Sequence, residues 1–185
     1  MIDAPALPTI EAERLRLRRL EDRDVDALYE IFSDPGVMRY WSSLPLESHS
    51  AAAELLAEIH DYFRRKELFQ WGVALREDDR VVGTCTLCQL DARNRRAEVG
   101  FALRRDAWGR GLMGEALTAL FDFAFGELAL RRLEADVDPR NEASIRLLER
   151  LGFEREGLAR ERWQVGGEIQ DAAYYGLLAR DWRKR

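Results

Sequence analysis

The sequence feature that most constrains the fold of this chain is a glycine-rich segment that opens a helix. From Arg105 to Gly114 the chain reads Arg-Asp-Ala-Trp-Gly-Arg-Gly-Leu-Met-Gly, and apolar residues then recur at helical spacing from Leu117 to Ala124. A glycine-rich loop at a helix start exposes backbone N–H groups at the positive end of the helix dipole. The segment therefore predicts a binding site for an anion, usually a phosphate or pyrophosphate.

Length and charge limit the classes of protein to consider. The 185 residues predict a single domain over residues 1–185, with residues 1–9 as a loose N-terminal arm. A net charge of −5 gives no support for nucleic-acid binding, although an acidic surface weakly favours a cationic acceptor. No apolar run approaches the roughly 18 residues of a membrane span, and the N-terminus lacks the pattern of a signal peptide. We therefore expect a cytoplasmic protein with no nucleic-acid or membrane partner.

Two cysteines form a single C-x-x-C motif at Cys85 and Cys88. On a strand, a separation of three residues places the two side chains on opposite faces of the sheet. The sequence contains no second cysteine pair, and both histidines are far away in sequence. The motif therefore predicts two small buried thiols, with no metal site.

The hydrophobic pattern predicts an α+β fold. A strand at 13–20 precedes two amphipathic helices, the first capped by Asp22 or Asp24 and the second beginning at Ser48. Strands at 69–76, 81–90 and 97–103 then form a meander, and after the glycine loop come a strand at 132–137, a helix at 141–151 and a hairpin at 153–178. This arrangement predicts a mostly antiparallel mixed sheet of about six to seven strands flanked by about four helices.

Several motifs occur together in one order and spacing. They are Ala97-Glu-Val-Gly-Phe101, Trp108-Gly-Arg-Gly111 with Glu115-Ala-Leu117, Asn141-Glu-Ala-Ser-Ile-Arg-Leu-Leu148, and Gly152-Phe153 with Glu156-Gly157. Together they resemble the GCN5-related N-acetyltransferase (GNAT) superfamily, and within it the subgroup that includes the ribosomal-protein N-terminal acetyltransferases. The resemblance covers nearly the whole chain. It implies a GNAT-like fold with a splayed central strand pair, acetyl-CoA as the co-substrate, and no metal.

The resemblance also implies which residues bind the cofactor. Backbone amides of the glycine loop would hold the pyrophosphate, and the end of the third meander strand would pair with the pantetheine arm. The implied cofactor-binding residues are Phe101, Ala102, Leu103, Trp108, Gly109, Arg110, Gly111, Leu112, Met113, Gly114, Asn141 and Ser144. Two positions depart from the usual family signature: Trp108 replaces Gln or Arg, and Met113 replaces Gly or Ala.

The implied reaction is the attack of a neutral primary amine on a thioester. The acceptor is either a protein N-terminal α-amino group or a small-molecule amine. Because amines are protonated at neutral pH, a base or a chain of waters must remove a proton, and the leaving thiolate benefits from an acid. Glu98 lies where family members often carry a base, and Ser144 resembles the serine that assists the leaving sulfur in this subgroup. Leu148 occupies the position of the tyrosine that many other members use.

Each of these residues also has a structural interpretation. Glu98 fits a half-exposed strand, Asn141 is a plausible helix cap, and Ser144 is an ordinary residue of a first helical turn. The aromatic residues Tyr40, Trp41 and Trp71 could line an acceptor pocket or belong to the core.

Three alternatives to the enzyme hypothesis arise from the same sequence. Gly109, Gly111 and Gly114 match the dinucleotide fingerprint G-x-G-x-x-G, but residues 104–108 separate the loop from its strand, and the strands before it form antiparallel hairpins. A second alternative is a non-catalytic acyl-CoA-binding module of the same fold. The third, which is compatible with the enzyme, is a homodimer whose interface includes Trp163 and Trp182.

Overall fold

One sheet organises the chain, and the computed structural model describes it within residues 6–182. Its strands are β1 (Ile10–Glu11), β2 (Leu15–Arg18), β3 (Phe69–Leu75), β4 (Val81–Asp91), β5 (Arg96–Leu103), β6 (Arg132–Val137), β7 (Glu154–Val165) and β8 (Glu168–Leu178). The helices are α1 (Val25–Phe32), α2 (Pro35–Met38), α3 (His49–Arg65), α4 (Leu112–Gly126), α5 (Glu142–Arg150) and α6 (Ala179–Trp182). In space the strands follow the order β1-β2-β3-β4-β5-β6-β8-β7, and β5 and β6 form the one parallel pair in this order.

The predicted α+β fold with a mostly antiparallel mixed sheet is confirmed, and the described part of the chain has more elements than expected. The additional elements are β1, α2 and α6. The short helix α2 follows closely after α1. It forms because the Asp34 side chain accepts a hydrogen bond from Gly36 N at 2.6 Å, and Pro35 occupies the first helical position.

The sheet carries hydrophobic clusters on both faces. Successive residues of the central strands alternate between them: Val73 joins the cluster beneath α4 and α5, whereas Ala74 joins the cluster beneath α1 and α3. The crossover from β5 through α4 to β6 places the glycine loop after the C-terminal end of β5, beyond the residues that pair with β6.

Part of the predicted loose arm is packed against the sheet. Residues 1–5 lie outside the described residues, but Leu7 is 8% exposed within the core, and Trp71 Nε1 donates to the Pro8 carbonyl at 2.9 Å. Trp71 itself is fully buried. It therefore belongs to the core and not to an acceptor pocket, because its strand position points it into the layer beneath α4.

A buried ion pair joins β2 to the segment before α1. The Arg18 guanidinium donates to both carboxylate oxygens of Asp24, at 2.7 and 2.9 Å, and to Asp79 Oδ1 at 3.1 Å in the turn after β3. The Arg18 and Asp24 side chains are 9% and 6% exposed. Removing one partner of such a pair leaves a buried charge without full compensation.

We expect Asp24→Asn to lower the free energy of unfolding by about 3 kcal/mol, the lower end of the range for a broken buried pair, because Asp79 still contacts Arg18. Urea unfolding at neutral pH measures this change. Asp61→Asn in α3 is the control, since its ion pairs with Arg64 and Arg65 are exposed and contribute about 0–1 kcal/mol. Equal losses in the two variants would contradict the role given to the buried pair.

Candidate active site

The two parallel strands separate soon after they meet. Their register pairs Arg96–Glu98 with Arg132–Glu134, and the pairing then stops although β5 continues to Leu103 and β6 to Val137. The facing edges of both strands beyond this point do not pair with each other. The predicted splayed strand pair is therefore confirmed, and the gap exposes backbone N–H and C=O groups that a ligand can satisfy.

A cavity of about 370 Å³ lies at this gap, and we call it the strand-gap cavity. Glu98 and the next residues of β5 form one side of its floor, Ala135–Val137 of β6 form the other, and Asn141 and Ser144 lie at the α5 end. Its apolar wall comes from α1, α2, the link after α2, and α3, through Phe32, Met38, Trp41, Leu44, Leu46 and Leu55. Tyr40 and Trp41 thus line the cavity, as one of the two sequence interpretations proposed.

Four of the predicted site residues meet in this cavity: Glu98, Phe101, Asn141 and Ser144. The others lie elsewhere. Ala102 is buried in the cluster beneath α1 and α3, and the Leu103 carbonyl accepts a hydrogen bond from Trp108 Nε1 at 2.7 Å. The loop residues Trp108, Gly109, Arg110, Gly111, Leu112, Met113 and Gly114 do not line the cavity.

The glycine loop has the conformation that its sequence requires. Gly109 and Gly111 have φ values of 72° and 76°, in the left-handed region that favours glycine. Gly111 is the N-cap of α4 and no side chain caps this helix, so its first N–H groups face outward at the positive end of the dipole. Met113 does not obstruct the loop, because its side chain is buried and its Sδ lies 3.6 Å from Cys85 Sγ.

Arg14, just before β2, braces the glycine loop, and sequence reasoning missed it. Its Nε donates to Glu115 Oε2 at 2.7 Å, its backbone N–H donates to Glu115 Oε1 at 2.6 Å, and its Nη1 donates to the Arg110 carbonyl at 3.0 Å. A second brace is the ion pair of Arg105 with Asp34, at 2.8 Å, which joins the start of α2 to the approach of the loop. Nothing in the alternation of charged and apolar residues around Arg14 signals this role.

Helix α5 joins the loop to the cavity. Asn141 Oδ1 accepts a hydrogen bond from Ser144 N at 3.2 Å, so Asn141 caps the helix as predicted. Leu147, one helical turn after Ser144, lies close to the start of α4, since a Cβ added at Gly114 would lie 3.6 Å from Leu147 Cδ1. Leu148 is fully buried and faces the core.

The surroundings of Glu98 disfavour the ionised form of its carboxyl group. Burial in the cavity is the largest cause that raises the pKa of its carboxyl group, and the neighbouring charges of Asp136 and Glu134 raise it further. Among residues 6–182, neither the Glu98 carboxyl nor the Ser144 hydroxyl has a side-chain hydrogen-bond or ion-pair partner. Both groups are therefore available to a ligand.

Cys88 is a different kind of group in the same cavity. Its thiol contacts the Glu98 carbonyl at 3.7 Å, and burial raises its pKa to about 12. The thiol therefore stays protonated at neutral pH and is a poor nucleophile. Cys85 packs in the core on the opposite face, as the strand spacing predicted.

Two further residues of the cavity, Asp136 and Trp163, were not identified as site residues from the sequence. Trp163 of β7 donates from Nε1 to the Asp136 carboxylate of β6, at 3.3 and 3.4 Å, across the intervening strand β8.

Trp182, the other candidate interface tryptophan, donates to Asp122 at 2.8 Å and packs against the Phe121 ring. Both tryptophans thus have partners within the chain, and the homodimer stays a prediction.

Comparison with known proteins defines the class. Residues 14–154 match the model of the Acetyltransferase (GNAT) domain. An uncharacterized N-acetyltransferase, p20 of Bacillus licheniformis, is 37% identical over 176 residues, which cover 95% of this chain and 99% of the relative. The spermidine N(1)-acetyltransferase of Escherichia coli (strain K12) is 28% identical over 162 residues, 87% of this chain and 84% of the relative. The chain belongs to the GNAT acetyltransferase family, whose reaction is acetyl transfer from acetyl-CoA to an amine.

The solved structures agree on the fold. The ribosomal-protein-S5-alanine acetyltransferase from Vibrio fischeri matches with a TM-score of 0.81 at 22% identity, over 95% of this chain and 99% of that chain. Within residues 6–182, no helix is long and apolar enough to cross a membrane. The same residues contain no cluster of three or more His, Cys, Asp or Glu side chains that could hold a metal ion.

We expect Glu98→Gln to raise the melting temperature at pH 8. A carboxyl whose pKa is raised in the folded state binds its proton more tightly there, so its ionisation destabilises the fold at pH values above that pKa. Below about pH 4, where the unfolded chain also protonates the group, the difference should vanish. Thermal melts between pH 4 and 8 measure this, and a variant less stable than the parent chain at pH 8 would contradict the electrostatic description.

Proposed function

We propose that the strand-gap cavity binds a primary amine and that the chain acetylates it from acetyl-CoA, with Glu98 as the base and Ser144 assisting the leaving sulfur. The observation that carries this proposal is the convergence of Glu98, Asn141 and Ser144 on one cavity at the strand gap. Helix α5 connects that cavity to the glycine loop.

The residues present fit acetyl-CoA. A Cβ added at Gly109 would meet no atom within 4 Å, so the loop surface is open, and the uncapped N–H groups of α4 suit a pyrophosphate. The unpaired edge of β5 beyond Glu98 suits the amides of the pantetheine arm, and Asn141, which lines the cavity, would add a hydrogen bond from its side-chain N–H₂ group. Bound there, acetyl-CoA supplies an acetyl group activated as a thioester.

Glu98 and Ser144 divide the proton transfers. The Glu98 carboxylate accepts a proton from the acceptor ammonium, directly or through water, and its raised pKa brings it closer to the working pH of such a base. The neutral amine would then attack the thioester carbon, and as the C–S bond breaks the Ser144 hydroxyl would donate a hydrogen bond to the departing thiolate, which takes up the second amine proton. Leu148 cannot share this task, because it carries no polar group and is fully buried.

The second candidate is a non-catalytic acyl-CoA-binding module of the same fold. The unpartnered Glu98 carboxyl favours the enzyme, since a partly buried charge without a function would only destabilise the fold. The acceptor is a protein N-terminus or a small amine; the relatives are named for spermidine and for an alanine of ribosomal protein S5. A single domain, a cytoplasmic location and a homodimer are further proposals that rest on the sequence.

Replacing Gly111 with valine should weaken acetyl-CoA binding by at least about tenfold, because the branched side chain would occupy the surface proposed for the pyrophosphate. Within the protein, a Cβ at Gly111 meets only Arg14, at 3.6 Å, so the main internal cost is the positive φ. Gly167→Val in the hairpin turn is the matched control, since Gly167 has φ +87° and no atom within 4 Å of an added Cβ.

Calorimetry with acetyl-CoA and thermal melts on both variants separate binding from strain. Both variants should lose similar stability, and the Gly167 variant should keep its affinity. A Gly111 variant that binds as tightly as the parent chain would show that the loop does not hold the cofactor.

We expect Glu98→Gln to slow turnover by about a hundredfold, the low end for general base catalysis, at pH values above the pKa of Glu98 and below that of the amine, where the carboxylate is ionised and free amine is scarce. Ser144→Ala should slow turnover at all pH values while acetyl-CoA affinity stays near that of the parent chain. Thiol release against pH measures both. Glu142→Gln is the control, because Glu142 is exposed and pairs with Arg146. If both site variants kept the turnover-against-pH profile of the parent chain, water and substrate positioning would suffice for the proton transfers, and the roles given to Glu98 and Ser144 would be wrong.

A further inference from the structure

We infer that the carboxyl groups of Glu98 and Asp136 together recognise the ammonium of the acceptor and restrict the enzyme to amines with an apolar body and no neighbouring carboxylate. The inference deepens the proposed function, on which it rests, by naming the substrate class of the same cavity. Asp136 acts as a specificity-determining residue.

The charges that line the strand-gap cavity have one sign. Its acidic residues are Glu98, Asp136, Asp138 and Asp171, and no Lys, Arg or His side chain belongs to its lining among the described residues. A cavity lined by one sign of charge with low-dielectric walls concentrates ligands of the opposite sign. A cationic acceptor therefore fits this cavity better than an anionic or zwitterionic one.

Two of these four carboxylates already have close partners. Asp138 is bound by the Arg140 guanidinium at 2.6 Å, and the Asp171 carboxylate accepts the backbone N–H of Glu161 at 2.8 Å. Glu134, which lies beside the cavity, is likewise held by Arg96 at 2.5 Å and Arg132 at 2.8 Å. Of the remaining two, the Glu98 carboxyl has no such partner within residues 6–182, and the partners of Asp136 lie at 3.3 Å or more.

These two carboxyl groups lie on one face of the sheet, on opposite sides of the strand gap. Glu98 of β5 pairs in register with Glu134 of β6, and Asp136 lies two residues after Glu134 on β6. Because side chains alternate along a strand, all three share one face of the sheet. The contacts of Asp136 are long: Trp163 Nε1 at 3.3 Å and Arg162 Nε at 3.8 Å. Burial is the largest cause that raises the pKa of Asp136, as it is for Glu98, and the Asp136 charge adds to the shift at Glu98.

An irregularity in β7 brings Trp163 and Arg162 to Asp136. The pairing of β7 with β8 shifts between Ala159 and Trp163, and Glu161 within this bulge has φ +53°. Bulges re-aim side chains, and this one directs Trp163 and Arg162 across β8 to the Asp136 carboxylate. Arg162 partly offsets the negative charge of both carboxyl groups. Removing it should therefore sharpen the preference for cations.

The opposite wall of the cavity is apolar and aromatic. Phe32 and Trp41 pack edge to face at 5.4 Å, beside Met38, Leu46 and Leu55. An acceptor with one ammonium and an apolar body satisfies both walls. A carboxylate next to the amine would lie against Glu98 and Asp136, and the several ammonium groups of a polyamine would lie against the apolar wall.

The test compares 2-phenylethylamine with phenylalanine, which differ by a carboxylate next to the amine. We expect kcat/KM, from thiol release with acetyl-CoA, to favour 2-phenylethylamine by at least about tenfold. Asp136→Asn should raise KM for 2-phenylethylamine more than it changes kcat, and should reduce the ratio by roughly tenfold or more, since one charge-assisted contact is lost. Arg162→Gln should change the ratio in the opposite direction.

Asp171→Asn is the matched control. It removes one charge from the same cavity and keeps the Oδ1 acceptor for Glu161 N, so the ratio should stay near that of the parent chain. An equal fall in the Asp171 and Asp136 variants would show a general field effect and would overturn the assignment of Asp136. A parent ratio of one or below would overturn the inference, and better turnover of spermidine than of 2-phenylethylamine would overturn its apolar part.

Failure of the proposed function has a different signature. If no amine or peptide in a mixed pool releases thiol from acetyl-CoA, the chain is not an acetyltransferase of this kind. In that event, calorimetry of 2-phenylethylamine and phenylalanine with the CoA-bound protein decides the inference on its own. Equal affinities, or no binding of either amine, would overturn the recognition site.

Discussion

The separation of β5 and β6 is the constraint on which the candidate site depends. Three residue pairs hold the strands together at Arg96–Glu98 and Arg132–Glu134, and from there each strand keeps a regular partner on its outer side, β4 for β5 and β8 for β6. Each strand therefore keeps a ladder of hydrogen bonds on its outer side where the two part. At the gap, backbone N–H and C=O groups stay unpaired, which destabilises the folded chain. An amide-bearing ligand that binds there pairs with these groups and offsets the loss.

Two polar contacts fix the glycine loop relative to the rest of the site. Arg14 holds the Arg110 carbonyl and Glu115, so the loop and the first turn of α4 are fastened to the sheet. Arg105 pairs with Asp34, the residue that caps α2. Because the apolar wall of the cavity includes Met38 of α2, this ion pair joins the acceptor side of the site to the proposed cofactor side.

The cavity contains carboxyl groups whose negative charge does not stabilise the folded chain. Burial raises the pKa values of Glu98 and Asp136, which means that their ionised forms destabilise the folded chain. Elsewhere, buried charge is neutralised by closely paired partners, as in the Arg18–Asp24 pair. The contrast between a compensated pair and an uncompensated carboxyl is the physical reason to assign the cavity a cationic ligand.

Local sequence determined the elements that local forces fix. Ser48 caps α3 through Ala51 N, Gly111 adopts the positive φ that starts α4, and the hairpin predicted at 153–178 is formed by β7 and β8. The motifs taken together also assigned Glu98, Asn141 and Ser144 to the sequence pattern of one family. Each of these predictions depends on interactions within a few residues, or on a pattern that holds along the chain.

Tertiary structure alone decided which side chains meet. It placed Trp41 in the cavity and Trp71 in the core, and it brought Arg14 to Glu115 and Trp163 to Asp136 across separations of 101 and 27 residues. A shift in the pairing of β7 with β8 decides the last contact, and no local propensity encodes such a shift. The sequence by itself therefore determined the elements and the class of chemistry, whereas strand register and packing determined the acidic floor of the cavity, because long-range contacts depend on how elements align.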